Sequence, residues 1–299
     1  MDNSPLNVEK LQITVVQHAL CDTFDIQLDL LRLDLIHPNL SGNKWFKLRH
    51  SLDYASKHNY AALLSFGGAY SNHLHALAYA GYRHSFKTIG IIRGEEIDNP
   101  TLQDCRRWGM ELHFISREQY REKNEIDFLA DLQTQFPTAF IIPEGGSNAL
   151  GLQGCREILQ CVDASKYDTI CCPIGTATTF TGIAQSLKLH QNAIGFPALK
   201  NAHYLESFIQ EKIPHNRWRI EYDYHQGGFA KCNSTLLQFI DSFYQANLIV
   251  LDFVYTAKMM MGIFDLMSKA HFQKRQKILA LHTGGVQGNQ SKPALNFSK

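Results

Sequence analysis

From about residue 45 onward, short apolar runs alternate with longer amphipathic stretches, and this alternation restricts the fold more than any other feature of the chain. The runs fall at 61–66, 88–92, 111–115, 139–142, 169–173, 193–196, 219–222, 248–253 and 278–282. Most are β-branched or leucine-rich and lack strict apolar–polar alternation, as expected of parallel strands covered on both faces. Between them, Trp45, Leu48 and Leu52 recur at helical spacing, as do Leu102, Cys105 and Gly109, and later Leu236, Ile240 and Phe243. Gly, Ser, Asn or Pro mark most of the joints. Repeated strand–helix–strand units with right-handed crossovers predict a doubly wound α/β protein. The first 40 residues differ: 11–19 and 26–35 read as two strands, an antiparallel pair at a sheet edge.

Composition narrows the function classes. Lys+Arg total 29 and Asp+Glu 28, a net charge of +1, so no strong field exists to hold nucleic acid or an anionic membrane. No run of eighteen apolar residues predicts a transmembrane helix. Met1-Asp2-Asn3-Ser4-Pro5 lacks the basic start and apolar stretch of a signal peptide. Seven cysteines, an odd number without a CxxC pair, read as free thiols in a reducing compartment, the cytoplasm.

In α/β sheets, ligands bind at the carboxyl ends of strands, in the turns that open helices. Four such turns carry chemistry. In Ser41-Gly42-Asn43-Lys44-Trp45-Phe46-Lys47-Leu48, a Gly-Asn joint opens a helix with Lys44 in its first turn, the end where the dipole disfavours a cation. Taken alone this is a tolerated surface lysine before it is a nucleophilic amine. In Ser65-Phe66-Gly67-Gly68-Ala69-Tyr70-Ser71-Asn72-His73, a strand runs into two glycines and a Ser-Asn cap. Ser71 and Asn72 are either ordinary capping groups or polar groups aimed at a ligand. His73 and His75 stand two apart, off a common helix face, and read as non-metal histidines. Gly175-Thr176-Ala177-Thr178-Thr179-Phe180-Thr181-Gly182 follows the 169–173 run and crowds bare amides and hydroxyls at a helix start. It suits a phosphate as well as it suits a capped polar loop, and it is neither a Walker loop nor GxGxxG. Tyr255, in Leu251-Asp252-Phe253-Val254-Tyr255-Thr256-Ala257-Lys258, is a core aromatic or an acid–base group. Leu281-His282-Thr283-Gly284-Gly285 is a comparable turn. An amine, a phosphate cradle and a tyrosine at strand ends together suit a phosphorylated aldehyde, pyridoxal 5'-phosphate.

With these motifs the chain resembles the pyridoxal-phosphate enzymes of the tryptophan-synthase-β fold type, and within them the D-cysteine desulfhydrase and 1-aminocyclopropane-1-carboxylate (ACC) deaminase group. The resemblance covers about residues 31–285. It rests on Gly42-Asn43-Lys44 with Lys47-Leu48, Ser71-Asn72-His73, Pro143-Glu144-Gly145-Gly146-Ser147-Asn148-Ala149-Leu150-Gly151, the turn from Gly175 to Gly182, Val254-Tyr255-Thr256 with Lys258, and His282-Thr283-Gly284-Gly285. It implies two doubly wound α/β domains, 1–46 plus 147–299 and 47–146, with the cofactor in the cleft between them, and a homodimer. It implies Lys44 as the Schiff-base lysine, Asn72 on the cofactor's ring hydroxyl, and Ser71 at the substrate carboxylate. Gly175, Thr176, Ala177, Thr178 and Thr179 would hold the phosphate. Tyr255 would be the second acid–base group or nucleophile, Thr256 would face the pyridine nitrogen, and Thr283 would be a further cofactor contact.

ACC deaminases of the family usually carry a glutamate after that tyrosine and a leucine in place of Thr283. A threonine can only hydrogen-bond the ring nitrogen, where a carboxylate favours its protonation. The two threonines therefore favour D-cysteine desulfhydrase, which makes pyruvate, sulfide and ammonia, over ACC deaminase, which makes 2-oxobutyrate and ammonia. Tyr70, Phe229, Trp45-Phe46 and Val286-Gln287-Gly288-Asn289 depart from the family pattern. Phe229 and the last of these motivate a third reading, a non-catalytic cofactor or amino-acid binding homologue.

Overall fold

The computed structural model describes residues 6, 8, 11–40, 42–292 and 295. Ser41 and Met1-Asp2-Asn3-Ser4-Pro5, which enter two of the sequence expectations, lie outside the described residues. Ten strands are present among the described residues: β1 Ile13–Val15, β2 Gln27–Arg32, β3 Ala62–Gly68, β4 Lys87–Arg93, β5 Met110–Ile115, β6 Ala139–Ile142, β7 Thr169–Ile174, β8 Asn192–Pro197, β9 Trp218–Ile220 and β10 Lys277–His282. The helices are α1 Ala19–Phe24, α2 Asn43–Lys57, α3 Asn72–His84, α4 Pro100–Arg107, α5 Ile126–Gln135, α6 Ala149–Arg156, α7 Thr178–Gln185, α8 Tyr204–Gln210, α9 Ser234–Asn247 and α10 Thr256–Ser268. The chain divides into two compact units. One gathers His37–Leu40 and Lys44–Gly154; the other gathers the described residues of Leu6–Ile36, Ser41–Asn43 and Cys155–Lys299.

The first unit holds a four-stranded sheet in the order β5-β4-β3-β6, every neighbouring pair parallel. The chain winds outward from β3 to β5 and then returns to add β6 on the other side of β3. The order therefore reverses between β3 and β6, and in sheets of this kind ligands bind at the carboxyl ends of the strands on either side of such a reversal. Ala62, Leu64, Phe66, Ile89 and Ile91 cover one face against Tyr120 and Leu132.

The second unit holds a six-stranded sheet, β1-β2-β10-β7-β8-β9, parallel except for β1. Its reversal lies between β7 and β10. The expected antiparallel pair is β1 with β2, and β1 is the edge strand; the rest of 11–19 turns into α1, and 33–35 forms a 3-10 turn. The core packs Leu28, Leu30, Cys171, Ile194, Ile278 and Ala280 of the sheet against Met259, Met260, Ile263 and Met267 of α10 and against Leu236, Ile240 and Phe243 of α9. Each of the Leu, Ile, Phe and Met side chains among these contributes about 1.5–3 kcal/mol when fully buried.

Three expectations are corrected. Segment 219–222 ends early as β9, because Tyr222 begins a 3-10 turn. Gly109 lies beyond α4 rather than in it, with φ +82°, the left-handed conformation that glycine adopts without strain. Segment 248–253 is not a strand. Leu248 is the left-handed cap that ends α9, and Ile249, Leu251, Asp252 and Phe253 are buried without a neighbouring strand. Side chains serve its backbone instead. His282 Nε2 bonds Val250 O at 2.8 Å, Asn289 Nδ2 donates to Leu251 O at 3.0 Å, and Phe253 N donates to Asn289 Oδ1 at 3.2 Å. Burial made the run apolar like a parallel strand, while its hydrogen bonds go elsewhere.

At the reversal in the first unit, Ser65 of β3 donates its hydroxyl proton to Ile142 O of β6 at 2.7 Å. Ser65 Oγ lies 2.9 Å from His73 Nε2, so the imidazole carries its proton on Nε2. Burial, and then the positive charges of Lys44 and Lys47, hold the pKa of His73 well below its usual 6.5.

Two predictions concern stability. Asn289→Leu leaves two buried backbone groups unpaired, at about 1–3 kcal/mol each, and lowers the urea midpoint accordingly. His73 is neutral in the fold and takes a proton near pH 6.5 when unfolded, so protonation favours the unfolded chain as pH falls below 6.5. The urea midpoint should therefore decline from pH 7.5 to pH 5.5 less steeply in His73→Asn than in the natural chain. Equal slopes would show that His73 is not held neutral.

Candidate active site

Every candidate residue lies at or close to the carboxyl end of a strand or the start of a helix. In the second unit, β7 ends at Ile174, and Gly175, Thr176 and Ala177 lead into α7. Ala177, the N-cap, holds φ +61°, and its own side chain makes no capping bond to the helix. The first turn of α7 directs backbone N–H groups and the positive dipole end toward this turn. Thr176 Oγ1 and Thr178 Oγ1 lie 3.2 Å apart, and Thr179 is buried. Thr179 Oγ1 accepts a hydrogen bond from Asn43 Nδ2 at 2.8 Å and a weaker one from Cys155 Sγ at 3.7 Å. With its lone pairs so engaged, the hydroxyl proton of Thr179 is the part left to meet an anion. Gly175 packs on Tyr255: a Cβ there would stand 3.1 Å from the ring.

Tyr255 and Thr256 are set by a residue the sequence reading passed over. Asp252 is buried, and its carboxylate accepts from the N–H of Val254 (3.1 Å), Tyr255 (2.8 Å) and Thr256 (2.9 Å). A carboxylate accepting three amides at the start of α10 does the work of an N-cap from three residues before Tyr255. Its sequence signal was an acidic residue alone in an apolar run ahead of a helix. Thr256 is fully buried, and its Oγ1 has no hydrogen-bond partner among the described residues. Thr283, at the end of β10, accepts from Asn43 N at 3.2 Å through its carbonyl. Gly42 is required beside it: φ is +68°, and a Cβ would fall 1.8 Å from Thr283 O. Asn43 is thus tied by its backbone to the β10 turn and by its side chain to the α7 turn, one residue before Lys44.

In the first unit, Lys44 occupies the first turn of α2 and is half-buried. Its charge is felt at His73. Lys47 is buried and donates from Nζ to Gly145 O at 2.9 Å. Gly146 packs against both: a Cβ would lie 3.1 Å from Lys47 Cβ and 3.4 Å from His73 Cε1. Ser71 caps α3, its Oγ accepting Leu74 N at 3.3 Å, which leaves the hydroxyl proton to donate; Asn72 is the first residue of the helix. A Cβ on Gly67 would collide with Ser71 at 2.6 Å, which explains the first glycine of that turn. The structure thus brings Lys44, Ser71 and Asn72 to the β3–β6 end of the first unit. It brings Gly175 to Thr179, Tyr255, Thr256 and Thr283 to the β7–β10 end of the second. His75 is engaged elsewhere, with Asp104 at 3.1 Å.

These groups fit pyridoxal phosphate on their own chemistry. The α7 turn and the Thr179 hydroxyl are of the kind that would donate to a phosphate, and the buried Thr256 hydroxyl, without a hydrogen-bond partner among the described residues, is of the kind that would meet a ring nitrogen. Residues 26–284 match the family model described as pyridoxal-phosphate dependent enzyme, well over half of the chain. The chain is 28% identical over 294 residues to a Thermotoga maritima protein provisionally named 1-aminocyclopropane-1-carboxylate deaminase, with 90% of this chain and 92% of that protein covered. It is 27% identical over 296 residues to the mitochondrial bifunctional D-cysteine desulfhydrase/1-aminocyclopropane-1-carboxylate deaminase of Arabidopsis thaliana, with 88% and 73% covered. A crystal structure of an ACC deaminase homologue superposes with a TM-score of 0.81 at 24% identity, covering 93% of this chain and 90% of that one, a likeness of fold. By the extent of the family match and the fit of these turns to the cofactor, the chain belongs to the pyridoxal-phosphate dependent enzymes, with the tryptophan-synthase-β type of α/β fold.

Proposed function

We propose that this chain is a deaminating lyase for a small amino acid, D-cysteine, which together with water it converts to pyruvate, sulfide and ammonia. The observation that carries the reading is Thr256. A neutral, buried hydroxyl stands at the start of α10, and the nearby carboxylate of Asp252 is committed to three backbone amides. A hydroxyl supports a weaker electron demand than a carboxylate would. That suffices for loss of an α-proton and a β-thiol, an easier task than opening a cyclopropane that has no α-hydrogen.

When bound, the cofactor supplies the electron sink for charge developing at the substrate's α-carbon. The protein's part is positional and protonic. The α7 turn and Thr179 would hold the phosphate, Asn72 the ring hydroxyl and Thr256 the ring nitrogen, and Thr283 would add a contact at the β10 turn. Lys44 anchors the cofactor and then receives the α-proton at Nζ. Ser71 donates its hydroxyl proton to the substrate carboxylate. Tyr255 Oη is the second acid–base group and protonates the leaving sulfur.

The relatives' names divide between desulfhydrase and ACC deaminase, so ACC is the competing substrate. As parts of the same proposal, the enzyme works as a homodimer, as the family resemblance implies, and in the cytoplasm. The seven cysteines, all free, suit a reducing compartment. No helix among the described residues is long and apolar enough to cross a membrane.

The test is the visible spectrum of the cofactor-loaded protein before and after D-cysteine, with pyruvate assayed in the same sample. The band should shift as pyruvate accumulates. Release of 2-oxobutyrate from ACC, with no pyruvate from D-cysteine, would transfer the assignment to ACC deaminase. A shift with no product from any amino acid would leave a binding protein. Lys44→Ala should lose turnover by about 10³-fold or more with an unchanged melting profile. Full activity in that variant would remove Lys44 from the mechanism.

A further inference from the structure

Lys258 is a buried cation to which the reaction above assigns no role. It lies in the first turn of α10, three residues after Tyr255, and only 2% of it is exposed. Placing an ammonium group there is costly, both through desolvation and through the positive end of the helix. Burial lowers its pKa to about 8, partly offset by the negative charge of Asp252. Its hydrogen bond is to Gly228 O, at 2.7 Å. The same carbonyl accepts Lys231 N at 3.2 Å, and Gly228 N donates to His225 O at 3.0 Å.

The loop so held runs against backbone preference. Gln226 (φ +50°), Gly227 (+89°), Gly228 (+114°) and Ala230 (+54°) all lie in the left-handed region. The two non-glycine residues each cost about 1–2 kcal/mol there. Between them stands Phe229, 48% exposed, whose ring meets that of Tyr255 edge-on, with centroids 6.0 Å apart and planes at 66°. An exposed aromatic on a strained loop keeps such a position only if the backbone beneath it is held, and the Lys258 ammonium is a buried side chain that donates to that backbone.

We infer that Lys258 is a positioning residue for substrate recognition: it clamps the 226–230 loop through Gly228 O, and so holds Phe229 as an apolar wall beside Tyr255. The wall offers no hydrogen-bond donor or acceptor, so it suits a small, soft side chain such as a thiol and disfavours a charged one. This rests on the reading of Tyr255 as an active-site residue.

The test uses the cofactor-loaded enzyme, Lys258→Met and Phe229→Ala, singly and together. In Lys258→Met the amides of Gly228 and Lys231 should exchange with deuterium at least about tenfold faster, with the cofactor band unchanged. The KM for D-cysteine, or for whichever amino acid is turned over, should rise about tenfold while kcat changes much less. Phe229→Ala should show the same rise in KM with ordinary loop exchange, and the double variant should be no worse than either single one. Unchanged exchange in Lys258→Met, or additive effects on KM, would overturn the clamp. Should Lys258→Met not fold, Lys258→Gln, one bond too short to reach Gly228 O, takes its place under the same expectations. If no amino acid is turned over, the functional reading fails, and the exchange measurement alone decides the clamp.

Discussion

The constraint on which this structure rests is the reversal of winding in its two parallel sheets. A parallel strand must be followed by a crossover, and where winding changes direction two successive crossovers leave on opposite faces. The turns between them are then not covered by a neighbouring helix. In the first unit that place lies between β3 and β6, and it collects the glycines, serines and asparagines of both turns. In the second it lies between β7 and β10, where Gly175, Thr176 and Ala177 on one side and Thr283 on the other leave the sheet.

Polar groups at these ends are arranged by how many hydrogen bonds each can make. At the start of α10, the Asp252 carboxylate satisfies three amides and offers them to nothing else. At the start of α7 the N-cap is an alanine, whose side chain cannot play that part. Two helix starts in one unit thereby differ, one held by a buried carboxylate and one standing behind an alanine cap. The same accounting assigns the proton of His73 to Nε2 and leaves the hydroxyl protons of Ser71 and Thr179 as donors.

Much of this architecture could be read from residue patterns. Apolar runs marked eight of the ten strands to within about two residues, because a strand covered on both faces must be apolar throughout. The glycine turns were legible because close backbone approach excludes a Cβ, as Gly42 against Thr283 and Gly67 against Ser71 illustrate. Segment 248–253 misled for the same reason that the others succeeded: burial alone produces the pattern, whatever then serves the backbone. Asp252 and Lys258 stand in a motif whose residue types alone give neither a structural role. A lone charge in an apolar stretch does not say whether it is exposed, capping or clamped.

The sequence by itself determined the alternation of strands and helices, the places where glycine is unavoidable, the lysine in the first turn of α2, and the family those motifs share. These are local properties, set by side-chain periodicity and backbone sterics within a few residues. Only the tertiary structure decided that Asn289 and His282 stand in for a strand beside 249–253, that Asn43 joins the turns of α7 and β10, and that Lys258 reaches Gly228. Those partners lie 30 to 240 residues apart along the chain. No local pattern encodes a hydrogen bond across such a distance, because the need to satisfy each buried polar group appears only once the fold has removed it from water.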